Sequence, residues 1–158
     1  MVQWRDAWSQ QEWVTLRLAP VWVLSAIAGR VRFDDDERGA FWDAVTDAAL
    51  RSEGPGRELL GTAAAERLWL FDEFELDGRP VVSGLLSVSR LLERMDPDTR
   101  TDVRSSILRV GAGVALARGH FGRRMTLEDE QTLLLVEQLL QTAPETLSDN
   151  PLNSPATI

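Results

Sequence analysis

Between Val81 and Met95 the apolar residues stand at Val81, Leu85, Val88, Leu92 and Met95, in alternating steps of four and three. That step is the period of one face of an α-helix. The same period returns along the chain, in Phe41, Trp42, Val45, Ala48 and Ala49, and again in Val103, Ile107, Val110, Val114 and Ala117. The alternate-residue pattern of a half-buried strand is not found. The sequence therefore predicts an all-α fold.

Punctuation residues divide the pattern into helices. Ser9-Gln10-Gln11-Glu12 fits a capping box, in which serine and glutamate satisfy free amides reciprocally. The first helix follows to Gly29, a suitable C-terminal stop, and Pro20 is expected to kink or split it. A second helix runs from the aspartates at 34–36 to about Ser52, and Gly54-Pro55-Gly56 breaks the chain. A third is predicted over roughly Arg57 to Phe74, with Asp77-Gly78-Arg79-Pro80 as a turn. Val81 to Met95 is the next. Asp96-Pro97 restarts a helix to about Arg118, in which Gly111 and Gly113 permit a close helix crossing. Thr126 caps the last, which runs through about Leu140. At 158 residues and 44% hydrophobic, the chain suits one domain with a proper core. The expectation is a bundle of about six helices over 1–142 and a flexible C-terminal tail over 143–158, rich in Pro, Ser and Asn.

Composition narrows the chemistry. There is no cysteine, so disulfides, thiolate metal sites and cysteine nucleophiles are excluded. A single histidine and no tyrosine leave few acid–base groups. The net charge of −8 argues against broad nucleic-acid binding. Apart from that histidine, every basic residue is an arginine, which suits carboxylate or phosphate recognition and is equally what a GC-rich coding sequence gives. The N-terminal MVQWRDAWSQQEW does not read as a secretory leader, and the apolar stretch LAPVWVLSAIA is too short for a transmembrane segment. A cytoplasmic protein is expected.

Two segments look alike. TLRLAPVWVLSAIAGRVRFDDDERGAFWDAV and SSILRVGAGVALARGHFGRRMTLEDEQTLLLVEQLL each give an apolar helix, a glycine- and arginine-containing loop, an acidic start and a second apolar helix. The fold is thus read as containing two pseudo-repeated helical hairpins. Ser25-Ala26-Ile27-Ala28-Gly29 with Asp34-Asp35-Asp36-Glu37 resembles the tellurite-resistance TerB-like family. Val114-Ala115-Leu116-Ala117-Arg118-Gly119 with Thr126-Leu127-Glu128-Asp129-Glu130 is similar to a second copy of the same pattern. The resemblance implies an all-helical, stress-response-related protein whose acidic groups take part in cation binding. Where that pattern has aspartate before glycine, this chain has Ala28 and Arg118.

The candidate metal residues are accordingly Asp34, Asp35, Asp36 and Glu37, with Glu128, Asp129 and Glu130 in the second hairpin, and calcium or magnesium as the ion. An EF-hand loop starting at Asp34 fails, because Arg38 and Val45 stand where oxygen ligands are needed. A different oxygen cage is open, since a hard cation needs only several carboxylates and carbonyls to converge, and convergence of the two acidic starts would favour it. The competing reading is helix capping and a favourable interaction with the helix dipole. His120, Arg123 and Arg124, with Arg118, form the most basic local stretch, able to bind an anion or to pair with the protein's own carboxylates. Trp13, Trp22, Trp42 and Trp69 lie in apolar stripes and are expected in or near the core. Trp4 and Trp8, ahead of the first cap, either fold back on the bundle or present an interaction surface. No catalytic motif is found. The sequence points to a non-enzymatic binding or scaffold module that meets a protein partner or itself. A divalent-cation-binding protein is the alternative.

Overall fold

Seven α-helices and no strand make up the described residues, 4–119 and 124–141, of the computed structural model. They are α1 (Gln10–Ala28), α2 (Asp35–Arg51), α3 (Gly54–Ala65), α4 (Leu70–Asp77), α5 (Val81–Glu93), α6 (Pro97–Arg118) and α7 (Leu127–Gln141), after a short 3-10 turn at Trp4–Ala7. The expected all-α bundle is what forms. The tail over 143–158 lies outside the described residues. None of the described helices is long and apolar enough to cross a membrane.

α1 organises the bundle. Every residue from Thr15 to Ser25 is buried, a stretch of about three turns. A helix apolar on all sides has to be enclosed, and α3, α4, α5, α6 and α7 all pack against it. α2 sits outside, against α3 and α6. Of the kink or split expected at Pro20, the split does not occur, and α1 continues as one helix through it. Proline removes one backbone hydrogen bond and crowds the preceding turn, and packing on all sides holds the helix together across that defect.

Local signals place most ends. Ser9 with Glu12 and Asp34 with Glu37 each form the full capping box, with the four bonds at 2.8–3.1 Å. Gly29 ends α1 in the left-handed conformation at φ 70°. Asp96 accepts from the Thr99 amide, and Thr126 Oγ1 accepts from the Asp129 amide at 3.1 Å. α3 has no side-chain cap of its own. Asp102 of α6 supplies one, accepting from the Gly56 amide at 2.8 Å. Gly54-Pro55-Gly56, read as a break, is instead the first turn of α3, a position where proline has no bond to lose.

The predicted third helix is two helices. The chain turns at Glu66–Trp69, and Trp69, expected in or near the core, is 60% exposed, with Leu68 beside it 79% exposed. Two tertiary demands explain the turn. Arg17, buried on α1, pairs with Glu66 on the turn and Glu73 on α4. Beyond the turn, Phe71 and Phe74 enter a ring cluster with Phe33, whose centroids lie 5.6 and 5.9 Å away. Phe41 and Trp42 of α2 complete it against Phe71.

The glycines of α6 allow the close crossing that was expected. A Cβ at Gly113 would run into Ala44 of α2, and one at Gly111 into Val23 of α1 and Leu133 of α7. Gly84 on α5 is tighter still, since a Cβ there would fall among the ring atoms of the fully buried Trp22. Gly84→Ala is therefore expected to destabilise by about 1–2 kcal/mol, overpacking outweighing the roughly 1 kcal/mol gained in helix propensity. Denaturant unfolding checks this, and stabilisation would show that α5 is free to move away from α1.

Candidate functional site

The acidic starts of α2 and α7 converge, and an arginine lies between them. Glu37 is the third residue of α2 and Asp129 the third of α7, and both are buried. Arg118, at the end of α6, reaches Asp129 Oδ2 at 3.3 Å and Glu37 Oε2 at 3.6 Å. Arg30, just after α1, adds a contact to Glu37 Oε2 at 3.0 Å. Each hairpin thus contributes a buried carboxylate in the first turn of its second helix and an arginine near the end of its first, Arg30 after the Gly29 stop and Arg118 before Gly119. A guanidinium occupies the point where the carboxylates come together, which is where a bound cation would need to sit.

The remaining acidic residues do not join this cluster. Asp34 caps α2 through its own side chain, and Asp35, Asp36, Glu128 and Glu130 are exposed. Among the described residues no three acidic or histidine side chains approach one another at metal-binding spacing. Of the basic stretch, His120 and Arg123 lie outside the described residues, and Arg124 is exposed. Arg118 serves the protein's own carboxylates, the second of the two roles considered for that stretch.

Trp4 and Trp8 are half-buried and pack against the core. Trp4 meets both Trp8 and Trp13 edge-on at 5.8 Å between centroids. Arg5 lies over Trp13, and Arg94 lies over Trp8 while pairing with Glu12 of the first capping box. The N-terminal turn is thereby fastened to α1. A shallow groove of about 240 Å³ remains between Trp4, Trp8 and Asp96.

Two surface features went unread in the sequence. The first is the outward side of α4 and the turn before it, where Leu68, Trp69 and Leu76 are exposed. The second is an open groove of about 360 Å³ between α6 and α7, floored by Leu108, Ala112, Met125, Leu133 and Leu134. A signal for the second was present. Consecutive helical residues point about 100° apart, so the run Leu133-Leu134-Leu135-Val136 cannot all face one core. Val136 is buried while Leu134 and Leu135 are exposed.

A polar groove of about 630 Å³ lies between α1 and α5, with Asp77 and Arg79 on its wall. Arg79 bonds Asp77 at 2.8 and 2.9 Å and Thr15 at 3.0 Å, and stacks over the Trp22 ring. The Arg79 side chain holds the Asp77 carboxyl below its ordinary range. No histidine lies among the described residues, and the buried hydroxyl pair Ser52–Ser106, 2.7 Å apart, is contacted by Arg109 rather than by a base. Compared with known proteins, the chain matches no family model, no curated protein and no solved structure.

Two outcomes follow from these contacts. Arg118→Met strands the buried Asp129 and leaves Glu37 with Arg30 alone, and is expected to cost about 1–3 kcal/mol in denaturant unfolding; a loss below about 0.5 kcal/mol, the scale of an ordinary surface change, would show that the pairs do not hold the helix starts together. The depressed Asp77 carboxyl contributes stability that is complete above its unfolded pKa, about 3.9, and is lost as pH falls through the lower folded value. Asp77→Asn should flatten that acid limb of the stability curve, and an unchanged limb would place the titration elsewhere.

Proposed function

We propose that this chain is a non-enzymatic helical binding or scaffold module that acts in the cytoplasm through protein–protein contacts and belongs to the TerB-like, stress-response kind. The family part of this reading rests on the two hairpin motifs. The binding part rests on one observation, the exposed apolar side of α4 and of the turn before it. Leu76, Leu68 and Trp69 are 88%, 79% and 60% exposed. Trp69 and Leu76 stand two turns apart on one side of the helix, with the exposed Asp72 between them. Tryptophan concentrates binding energy at protein interfaces, and a helix face of this kind supplies its anchors ready ordered. Nucleic acid is outside the expected partners, in keeping with the net charge of −8.

The alternative, a divalent-cation-binding protein using the acidic helix starts, is disfavoured by Arg118. Its guanidinium already compensates Glu37 and Asp129, the two buried carboxylates of those starts.

The protein-binding reading is tested by capture. Immobilised full-length chain is compared with Trp69→Ser/Leu76→Ser, whose sites are solvent-exposed and whose melting is expected to match the wild type within about 0.5 kcal/mol. A defined set of proteins retained by the wild type and lost by the variant is expected. Equal retention by both, or none above bare beads, overturns the reading. For the cation alternative, millimolar calcium or magnesium is expected to leave the melting temperature unchanged, and a saturable rise would restore it.

A further inference from the structure

We propose that the groove between α6 and α7 is a docking site for a partner's amphipathic helix bearing two basic residues two turns apart. This deepens the protein-binding reading above by naming a second surface and the chemistry of what fills it. The floor is apolar from end to end, formed by Leu108 and Ala112 on α6, Leu133 and Leu134 on α7, and Met125 ahead of α7. Leu116 continues the α6 row by one further turn, and Leu127 continues the α7 row by two. Leu127 and Leu134 are 70% and 59% exposed. The apolar surface is therefore elongated and lies along two packed helices, the shape that accepts a third helix lying lengthwise.

Charge selects the occupant. The two ionisable groups lining the groove are both carboxylates, Glu130 and Glu137. They stand seven residues apart on α7, about 10 Å along the axis. Glu130 has no ion-pair partner among the described residues. Glu137 accepts from Gln141 Nε2 at 3.5 Å and attracts the half-buried Arg104 of α6, so Glu130 is the less compensated of the two. A docked helix with arginine or lysine at positions i and i+7, and leucine-like residues along the stripe between, would place one cation against each glutamate while covering the floor. A second copy of this chain is a poorer fit. Its own exposed helical side carries the carboxylate of Asp72 between Trp69 and Leu76, and the neighbouring Arg67 is engaged over the Trp42 ring.

The probe is a labelled synthetic amphipathic peptide of about five helical turns, with leucines along one face and two arginines seven residues apart beside it. A control peptide carries glutamate in place of both arginines. Fluorescence anisotropy with the full chain is expected to show saturable binding of the arginine peptide and at least about tenfold weaker binding of the control. Glu130→Lys/Glu137→Lys should reverse that preference. Leu134→Lys should abolish binding of the arginine peptide, with circular dichroism melting unchanged in both variants. Absence of binding by the arginine peptide, equal binding of the two peptides, or binding insensitive to these variants overturns the proposal. So does a wild-type dimer in sedimentation that Leu134→Lys dissolves, because the groove would then be filled by a second copy. The α4 capture experiment is independent of this groove. Peptide binding can fail while that capture succeeds, which removes the docking site and leaves the module.

Discussion

A helix that is apolar around its whole circumference cannot lie on a surface, and α1 is such a helix. Its buried run from Thr15 to Ser25 dictates that other helices stand on every side of it. The polar groups it carries inward then have to find partners within the shell. Thr15 receives Arg79, Ser25 donates to the Arg30 carbonyl at 2.7 Å, and Arg17 pairs with two glutamates. The Arg17 pairing reaches furthest. It fixes where the chain turns between α3 and α4, and that turn is what sends Phe71 and Phe74 inward while leaving Leu68 and Trp69 outside. A requirement set by the interior of α1 thus determines a surface feature of the molecule.

Arginine acts here largely as an internal counter-ion. In a chain with an excess of acid, Arg17, Arg30, Arg94 and Arg118 each hold a carboxylate from another helix or turn, and Arg79 holds Asp77 within its own turn. The most consequential case is Arg118. The two hairpins bring Glu37 and Asp129 to equivalent positions, and their convergence is the arrangement in which a hard cation would find ligands. A guanidinium instead supplies the positive charge from within the chain. That charge is fixed in the sequence and ties the second helix of each hairpin to Arg118.

What the sequence disclosed was chiefly local. Capping boxes, the left-handed stop at Gly29 and the Asp96-Pro97 restart depend on residues three or four apart, so they could be read directly. Continuity through Pro20 and the break at Glu66 depend on contacts between distant segments, where local propensity is overruled by packing. The same limit hid the role of Arg118. Its position before Gly119 was visible, but Glu37 lies far away in the chain. Trp69 shows the cost of reading a stripe as one helix. Once the helix breaks, residues after the break rotate to a new face. The α6–α7 groove was partly legible, because three consecutive leucines followed by valine overfill any single face.

The central claim is that the exposed apolar residues of α4 and α7 are displayed on a folded, preorganised frame built around α1. Native-state hydrogen exchange tests it most directly. Amides of α1 are predicted to exchange only through global unfolding, at the free energy found by denaturant. Those in the middle of α4 and α7 are predicted to be protected well beyond the level of fraying termini. Exchange of α4 or α7 at the rate of an unstructured peptide, with α1 still protected, would contradict the claim, since those leucines and Trp69 would then belong to no stable surface.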